Sequence, residues 1–326
     1  MDLTSLLKTT NAYRTVKGDK ENGRLSHAYL ILTQDGDKLD QYLKIFAKML
    51  VCEKGYPCGQ CRTCNLIEAN GFADLLFFPK NAQSVATDDV NSLIEESYLK
   101  PIEGDKKIFL ISHAETMTAP AQNKLLKTLE EPPKGVHIIL GATSEHPLLS
   151  TIKSRVKKLE IPLFDKDALY LAMKEDFPDS EKLLCAIACG DGTVGKAERN
   201  YFDEGLKKIT DVAVDTLVNM KSSKDVLEYS TKISALKVDV SEFLSVLELL
   251  LRDMLAVVEK KDELLFNRAL AEQLIKAEKF SRGAVIHALE AVNGAFRRKK
   301  ANATPTMLIE WLLFQILEGK FKWQKL

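Results

Sequence analysis

The stretch from Lys106 to Arg155 constrains the fold more than any other part of this chain. It opens on a short apolar run, Ile108-Phe109-Leu110-Ile111, and closes a second one, Val136-His137-Ile138-Ile139-Leu140. Between them the spacing predicts a helix over 121–131. Ala121, Leu125, Leu126 and Leu129 recur at three- and four-residue intervals and fall on one side of it. Pro120 sits in the first turn, where a missing N–H is harmless, and Pro132-Pro133 prevents the helix from continuing. Two wholly apolar strands flanking a helix imply a parallel sheet covered on both faces. The fold class expected is therefore α/β with a parallel sheet.

At 326 residues the chain is too long for one ordinary core and is expected to hold two or three domains. Lys plus Arg number 46 and so do Asp plus Glu, so whole-chain charge gives no case for a nucleic-acid-binding surface. There is no charged-then-apolar leader and no apolar run of membrane length; the most apolar stretch, 243–258, is broken by Glu248, Arg252 and Asp253. A soluble, cytoplasmic protein with no membrane association is the expectation.

Four of the six cysteines form the densest chemical motif. Cys52, Cys58, Cys61 and Cys64 lie within thirteen residues, with Gly55, Pro57 and Gly59 allowing the chain to fold back. Four thiolates so spaced suit a closed, structural tetrahedral Zn2+ site. A catalytic zinc would keep an open position and usually include histidine, and no histidine lies near. Two disulfides or a redox pair are the alternatives, disfavoured by the intracellular context expected for the chain. Cys185 and Cys189 lie four apart on an apolar helix and read as buried thiols rather than a second metal site.

The stretch Asn123-Lys124-Leu125-Leu126-Lys127-Thr128-Leu129-Glu130-Glu131-Pro132-Pro133 resembles the signature of bacterial DNA polymerase III clamp-loader subunits. These are AAA+ proteins that open the ring-shaped sliding clamp and place it on primed DNA. Ala142-Thr143 with Pro147, then Ile152-Lys153-Ser154-Arg155, is similar to the segment that follows in that family, and the likeness runs along the first 200 residues. It implies an AAA+-like domain over 1–162 carrying a zinc module over 52–64, a small helical lid over 163–203, and an all-α collar over 204–326 for oligomerisation. Clamp-loader subunits carry a small zinc module with this cysteine arrangement after the first helix, in agreement with the residue-level reading.

Against that resemblance the nucleotide site is degenerate. After the first core strand, Ala28-Tyr29-Leu30-Ile31-Leu32, an AAA+ motor carries a glycine-rich loop ending in Gly-Lys-Ser/Thr, whose N–H groups cradle phosphates. Here 33–40 holds one glycine, Gly36, carboxylates at Asp35, Asp37 and Asp40, and no Ser/Thr after Lys38. Carboxylates beside a triphosphate repel it. At the end of 108–111, where a motor needs Asp-Glu to hold magnesium and orient water, stand Ser112-His113, neither an effective magnesium ligand. Glu115, three positions on, is expected to point elsewhere. In Gly190 to Ala197, which resembles the family's second nucleotide-sensing turn, Gly195 takes the place of the motor's arginine. No functional ATP binding and no ATPase of its own are expected.

Arg155 carries the positive expectation. On composition alone it is a surface arginine at a helix end beside Lys153, Lys157 and Lys158. The family's arginine finger, however, lies in a Ser-Arg-Cys motif, and Ser154-Arg155-Val156 matches its first two positions. The resemblance thus assigns Arg155, with Ser154, to act in trans on ATP held by a neighbouring subunit. A guanidinium suits that task, being permanently charged and presenting a planar fork of donors. The partners implied are the ATPase subunits (gamma/tau) and the delta subunit in a heteropentamer, and, through the complex, the sliding clamp and primer-template DNA within the DNA polymerase III holoenzyme.

Elsewhere the pattern predicts a strand at 75–78 and a helix capped by Thr87-Asp88-Asp89 with Val90, Leu93, Ile94 and Tyr98 on one face. Helices are expected over 165–175, 180–188 and 195–200. From about Phe202 onward only helical periodicity appears, including an apolar face at Ala269, Leu274 and Ile275 and a terminal helix apolar almost all round over 304–317. Arg297-Arg298-Lys299-Lys300 reads as a solvated helix end. Two other functions compete with the non-hydrolysing subunit. An active AAA+ motor is opposed by the loop at Gly36 to Lys38, and an unrelated zinc-dependent nucleic-acid-binding protein by the neutral charge and the lack of aromatic-basic interleaving near the cysteines.

Overall fold

The structure, a computed structural model, describes residues 3–80, 84–236, 238–259, 274 and 280–322. The chain divides into two units, Met1–Met173 with Thr193–Gly195, and Lys174–Gly192 with Lys196–Leu326.

In the first unit α1 (Leu3–Lys8) and α2 (Asn11–Glu21) precede β1 (Ala28–Thr33). Then come α3 (Leu39–Val51), α4 (Arg62–Glu68), β2 (Leu75–Phe78), α5 (Thr87–Ser97), β3 (Lys107–Ile111), α6 (Ala119–Glu130) and β4 (Val136–Ala142). A short α7 (Ser150–Lys153), β5 (Lys157–Ile161) and α8 (Lys166–Met173) complete it. The five strands are all parallel and lie side by side in the order β2-β3-β4-β1-β5. Parallel pairing demands crossovers, and helices supply them on both faces.

The alternation of the strands sorts the core. Ala28, Leu30, Phe109, Ile111, Ile138 and Leu140 pack against Val90 and Leu93 of α5 and Ala121, Leu125 and Leu129 of α6. Truncating a fully buried residue such as Leu125 to Ala costs about 2–5 kcal/mol. On the opposite face α3 lies so close to β4 that a Cβ on Gly141 would stand 2.9 Å from the methyls of Leu39 and Leu43. Glycine there sets how near the helix after β1 can come to the sheet.

Helix α6 spans the expected segment to within two residues, and Thr118 caps it by accepting the Ala121 N–H. Other expectations need correction. The cap of α5 is Ala86, not Thr87; the Asp89 carboxylate reaches back to the Ala86 N–H at 3.0 Å. Tyr98 lies beyond the helix and is 64% exposed rather than on its apolar face. β5 was not among the expected strands, because only Leu159 and Ile161 of Lys-Lys-Leu-Glu-Ile are buried. It is the edge strand next to β1, and its lysines suit an edge open to water.

The second unit is helical throughout its described residues: α9 (Ser180–Ala188), the body of α10 (Val194–Phe202), α11 (Glu204–Asn219), α12 (Ser223–Ala235), α13 (Val240–Val258), α14 (Arg282–Lys300) and α15 (Pro305–Lys322). Of the apolar face at 269–275, Leu274 is fully buried, while Ala269 and Ile275 lie outside the described residues. The terminal helix buries Leu308, Leu312, Leu313 and Ile316 but leaves Met307, Phe314 and Phe321 exposed, seven residues apart on one stripe. The basic segment at the end of α14 is not simply solvated. Arg298 stacks on the Trp311 ring at 3.6 Å, and Lys299 is bound by Asp239 and Ser241. Cys189 is buried, and burial pushes its thiol up to about 12, as expected of an inert cysteine.

Candidate functional site

In an open α/β sheet the ligand site lies beyond the carboxyl ends of the strands, where neighbouring strands send their connections to opposite sides. Here that point falls between β1, whose chain crosses to the β2 edge, and β4, whose chain crosses to β5. The loops after β1, β3 and β4 therefore meet: a Cβ on Gly36 would lie 3.2 Å from Thr143 Cγ2 and 3.7 Å from His113 Cε1.

The loop after β1 makes one tight 3-10 turn over Gly36–Lys38 before entering α3. Its anchor is Asp35, which is 5% exposed. The Asp35 carboxylate accepts N–H bonds from Val194 at 2.9 Å and Gly195 at 3.1 Å, and the Tyr42 hydroxyl at 3.0 Å. An aspartate thus occupies backbone donors of the kind a phosphate uses at a helix start. Burial, with Asp35 next in importance, pushes the Tyr42 phenol far above its usual range. Gly195 is required by the crowding: a Cβ there would lie 2.4 Å from Asp37 Cβ and 2.6 Å from Asp35 Oδ1.

After β3, Ser112 is buried and donates its hydroxyl to Asp40, in the first turn of α3. His113 takes a left-handed conformation, φ 50° and ψ 48°, that turns the chain back over the strand ends. Contrary to the expectation from sequence, Glu115 then points into the site. Its Oε1 accepts the Thr143 N–H at 3.2 Å and hydroxyl at 2.6 Å and faces His113 Nδ1 at 3.3 Å. Its Oε2 is buried without a partner among the described residues. Asp35, Asp40 and Glu115 are thus each engaged by other groups of the chain at the strand ends.

The four cysteines converge. Cys52 Sγ lies 3.6 Å from that of Cys58 and 3.8 Å from that of Cys61, and Cys58 lies 3.9 Å from Cys64. All four sulfurs fall within 4.8 Å of one another. Zn–S bonds of about 2.3 Å in a tetrahedron require S···S edges of about 3.8 Å, and the three edges at 3.6, 3.8 and 3.9 Å match that spacing. The local fold explains the convergence. Cys52 ends α3, Gly55 and Gly59 take positive φ to reverse the chain, and Cys61 caps α4 with Cys64 in its first turn. N–H groups of Gln60 and Cys61 point at Cys58 Sγ and hold that thiol down at about 6. Burial pushes Cys64 up to about 12; a bound cation would supply the charge that makes it a thiolate. Lys20 donates to the carbonyls of Met49 and Cys52 at 2.7 and 3.1 Å, and Lys48 pairs with Glu68, tying the module's two ends to α2 and α3.

Arg155 follows α7 at the surface. Its guanidinium bonds the Thr151 carbonyl at 2.9 Å and Ser154 Oγ at 3.2 Å, and pairs with Glu130 at the end of α6 at 2.6 Å.

Comparison with known proteins places the chain. The family model described as DNA polymerase III, delta subunit, matches residues 8–165. The DNA polymerase III subunit delta' of Bacillus subtilis (strain 168) is 30% identical over 308 residues, spanning 92% of this chain and 93% of that one. The chain belongs to the family of DNA polymerase III delta-prime subunits. The tau/gamma subunit of Haemophilus influenzae is 32% identical over 179 residues, 52% of this chain and 26% of that protein. A gamma subunit-related protein of Thermotoga maritima, a solved structure, superposes with a TM-score of 0.41 at 20% identity, over 95% of this chain and 100% of that one.

This delta-prime chain thus carries an AAA+-like parallel sheet domain with a four-cysteine cluster, followed by helices. The structure brings Gly36, Ser112 and His113 to one place and the four cysteines to another, and sets Arg155 and Ser154 at the surface. Sequence reasoning missed Asp35 as a bridging anion, because its partners lie 159 and 160 positions away. It also missed Glu130 as the counter-ion of Arg155, although both belong to the motifs that carry the resemblance.

Proposed function

We propose that this chain is a non-hydrolysing clamp-loader subunit that lends Arg155 in trans to ATP bound by a neighbouring ATPase subunit. One observation carries the reading. The pocket at the strand ends is filled by the chain's own Asp35, while the Arg155 side chain stays one-third exposed. Further support comes from the carboxylates at 35, 37 and 40 and from the Ser112–Asp40 bond, which uses up the position where a motor holds magnesium.

The Arg155–Glu130 pair does not oppose this role. An exposed ion pair is worth at most about 1 kcal/mol, so a phosphate presented by a neighbour can take the guanidinium from it. Zinc in the Cys52, Cys58, Cys61, Cys64 cluster is structural, holding a loop rather than opening a coordination site. On this reading 163–203 is a lid and 204–326 a collar. The exposed stripe Met307, Phe314, Phe321 suits burial against sister subunits, gamma/tau and delta, in a pentamer that acts on the clamp and primer-template DNA.

The test is Arg155→Ala in the reconstituted complex. The variant is expected to assemble normally and to slow ATP hydrolysis by tenfold or more, since such fingers contribute roughly 10³–10⁵ in rate where dissected. An unchanged rate removes the assignment.

A further inference from the structure

The chain as a whole is electrically balanced, with 46 basic and 46 acidic residues, but one cleft is not. It lies in the first unit, between α1–α2 and the turn at Lys54 to Tyr56 of the cysteine module, and encloses about 730 Å³. Five of its nine lining residues are cationic and only Glu21 is acidic. Lys20 is already engaged, its amine turned onto the carbonyls of Met49 and Cys52 and its pKa lowered by burial. The other four, Lys8, Arg14, Lys17 and Lys54, are exposed. Lys17 makes only a loose 3.7 Å pair with Glu21, and Lys54 only a 3.4 Å contact with Gln60. Among the described residues neither Lys8 nor Arg14 meets a carboxylate.

Like charges gathered round one depression repel each other, and nothing in the fold of α1 or α2 requires them there. Their concentration is explained if an anion spans the cleft. A second feature narrows the anion: Tyr56 stands at the rim, 46% exposed, on a turn made possible by the positive φ of Gly55. An accessible aromatic ring beside a row of exposed cations, which corrects the expected lack of aromatic-basic interleaving near the cysteines, is the arrangement that grips a single strand, with phosphates on the charges and a base on the ring. An acidic protein surface would leave that ring without a task.

We propose that this cleft binds single-stranded nucleic acid, with Lys8, Arg14, Lys17 and Lys54 contacting phosphates and Tyr56 stacking on a base. The inference stands apart from the arginine-finger reading and shares no residue with it.

The test is fluorescence anisotropy of a labelled single-stranded oligonucleotide titrated with the full chain, purified with its metal. Four phosphate contacts at about 0.7 each give a log–log salt slope near −2.8, so affinity is expected to fall roughly fifty-fold between 50 and 200 mM salt. Arg14→Ala with Lys54→Ala halves that slope, and Tyr56→Ala weakens binding about five-fold or more. Arg297→Ala with Lys300→Ala removes the same charge from α14 and is expected to leave binding unchanged. The proposal is overturned by absence of binding at 50 mM salt, by equal loss in the α14 control, or by wild-type affinity in Tyr56→Ala. Polyglutamate binding as tightly as the oligonucleotide would overturn it too, marking the cleft as a dock for acidic protein.

Discussion

Two polar clusters in the first unit began as candidate ligand sites, and they resolve in opposite ways. At the strand ends Asp35, Asp40, Ser112 and Glu115 are each drawn into bonds with other groups of the same chain. In the cysteine module four sulfurs crowd within 4.8 Å, with backbone N–H groups and one another as hydrogen-bond partners among the described residues. At the strand ends all four groups find partners within the chain, and Glu115 Oε2 alone among their oxygens is buried without one among the described residues. A site that gathers four thiols within reach of a single point suits a cation. The difference separates a site whose polar groups are largely engaged within the chain from one whose donor set fits a metal.

The largest effect is expected from emptying the cysteine cluster of the zinc proposed for it. Zinc is expected at about one equivalent per chain, and Cys64→Ser or exhaustive chelation to abolish it. The segment from Cys52 to Glu68 should then lose its amide protection from hydrogen exchange while β1, β3 and β4 keep theirs. Retention of one equivalent of zinc by Cys64→Ser would erase the contrast. Next comes Asp35→Ala, which strands the Val194 and Gly195 N–H groups and the Tyr42 hydroxyl. Loss of a buried acceptor costs about 1–3 kcal/mol, visible as a melting temperature lower by several degrees. Calorimetry should still register no ATP binding, because Asp37 and Asp40 remain and no hydroxyl follows Lys38. Magnesium-dependent micromolar binding in either form would show that the pocket is merely plugged. The smallest effect belongs to Ser112→Ala. It releases a carboxylate that water can solvate, so stability should change by no more than about 1 kcal/mol. A larger loss would mean that the strand-end network acts as one cooperative unit.

Much of this was legible in the sequence wherever the information is local. Pro120 and Pro132 bracket α6, a fully apolar run marks β3, and the spacing of four cysteines within thirteen residues anticipates their convergence. Absences were legible too: no serine or threonine after Lys38 and no acid at 112–113. What stayed hidden depends on chain segments brought together by the fold. Asp35 looked like one more repelling carboxylate until Val194 and Gly195 were found to donate to it. Glu115 looked misdirected until the left-handed turn at His113 swung it onto Thr143. Likewise Arg298 and Lys299 read as a solvated terminus because Trp311 lies on α15 and Asp239 caps α13, both outside α14.

The tight approach of Gly195 to Asp37 bears on how such a chain can change over time. No single substitution can restore a long side chain at 195, since even one methyl would collide with the backbone-proximal carbon of Asp37. Clearing Asp35 and Asp37 first would leave donors at the start of α10 unanswered, with no nucleotide yet able to answer them. Position 195 and the loop at Asp35 to Asp37 are therefore locked together, and neither can change far unless the other changes with it.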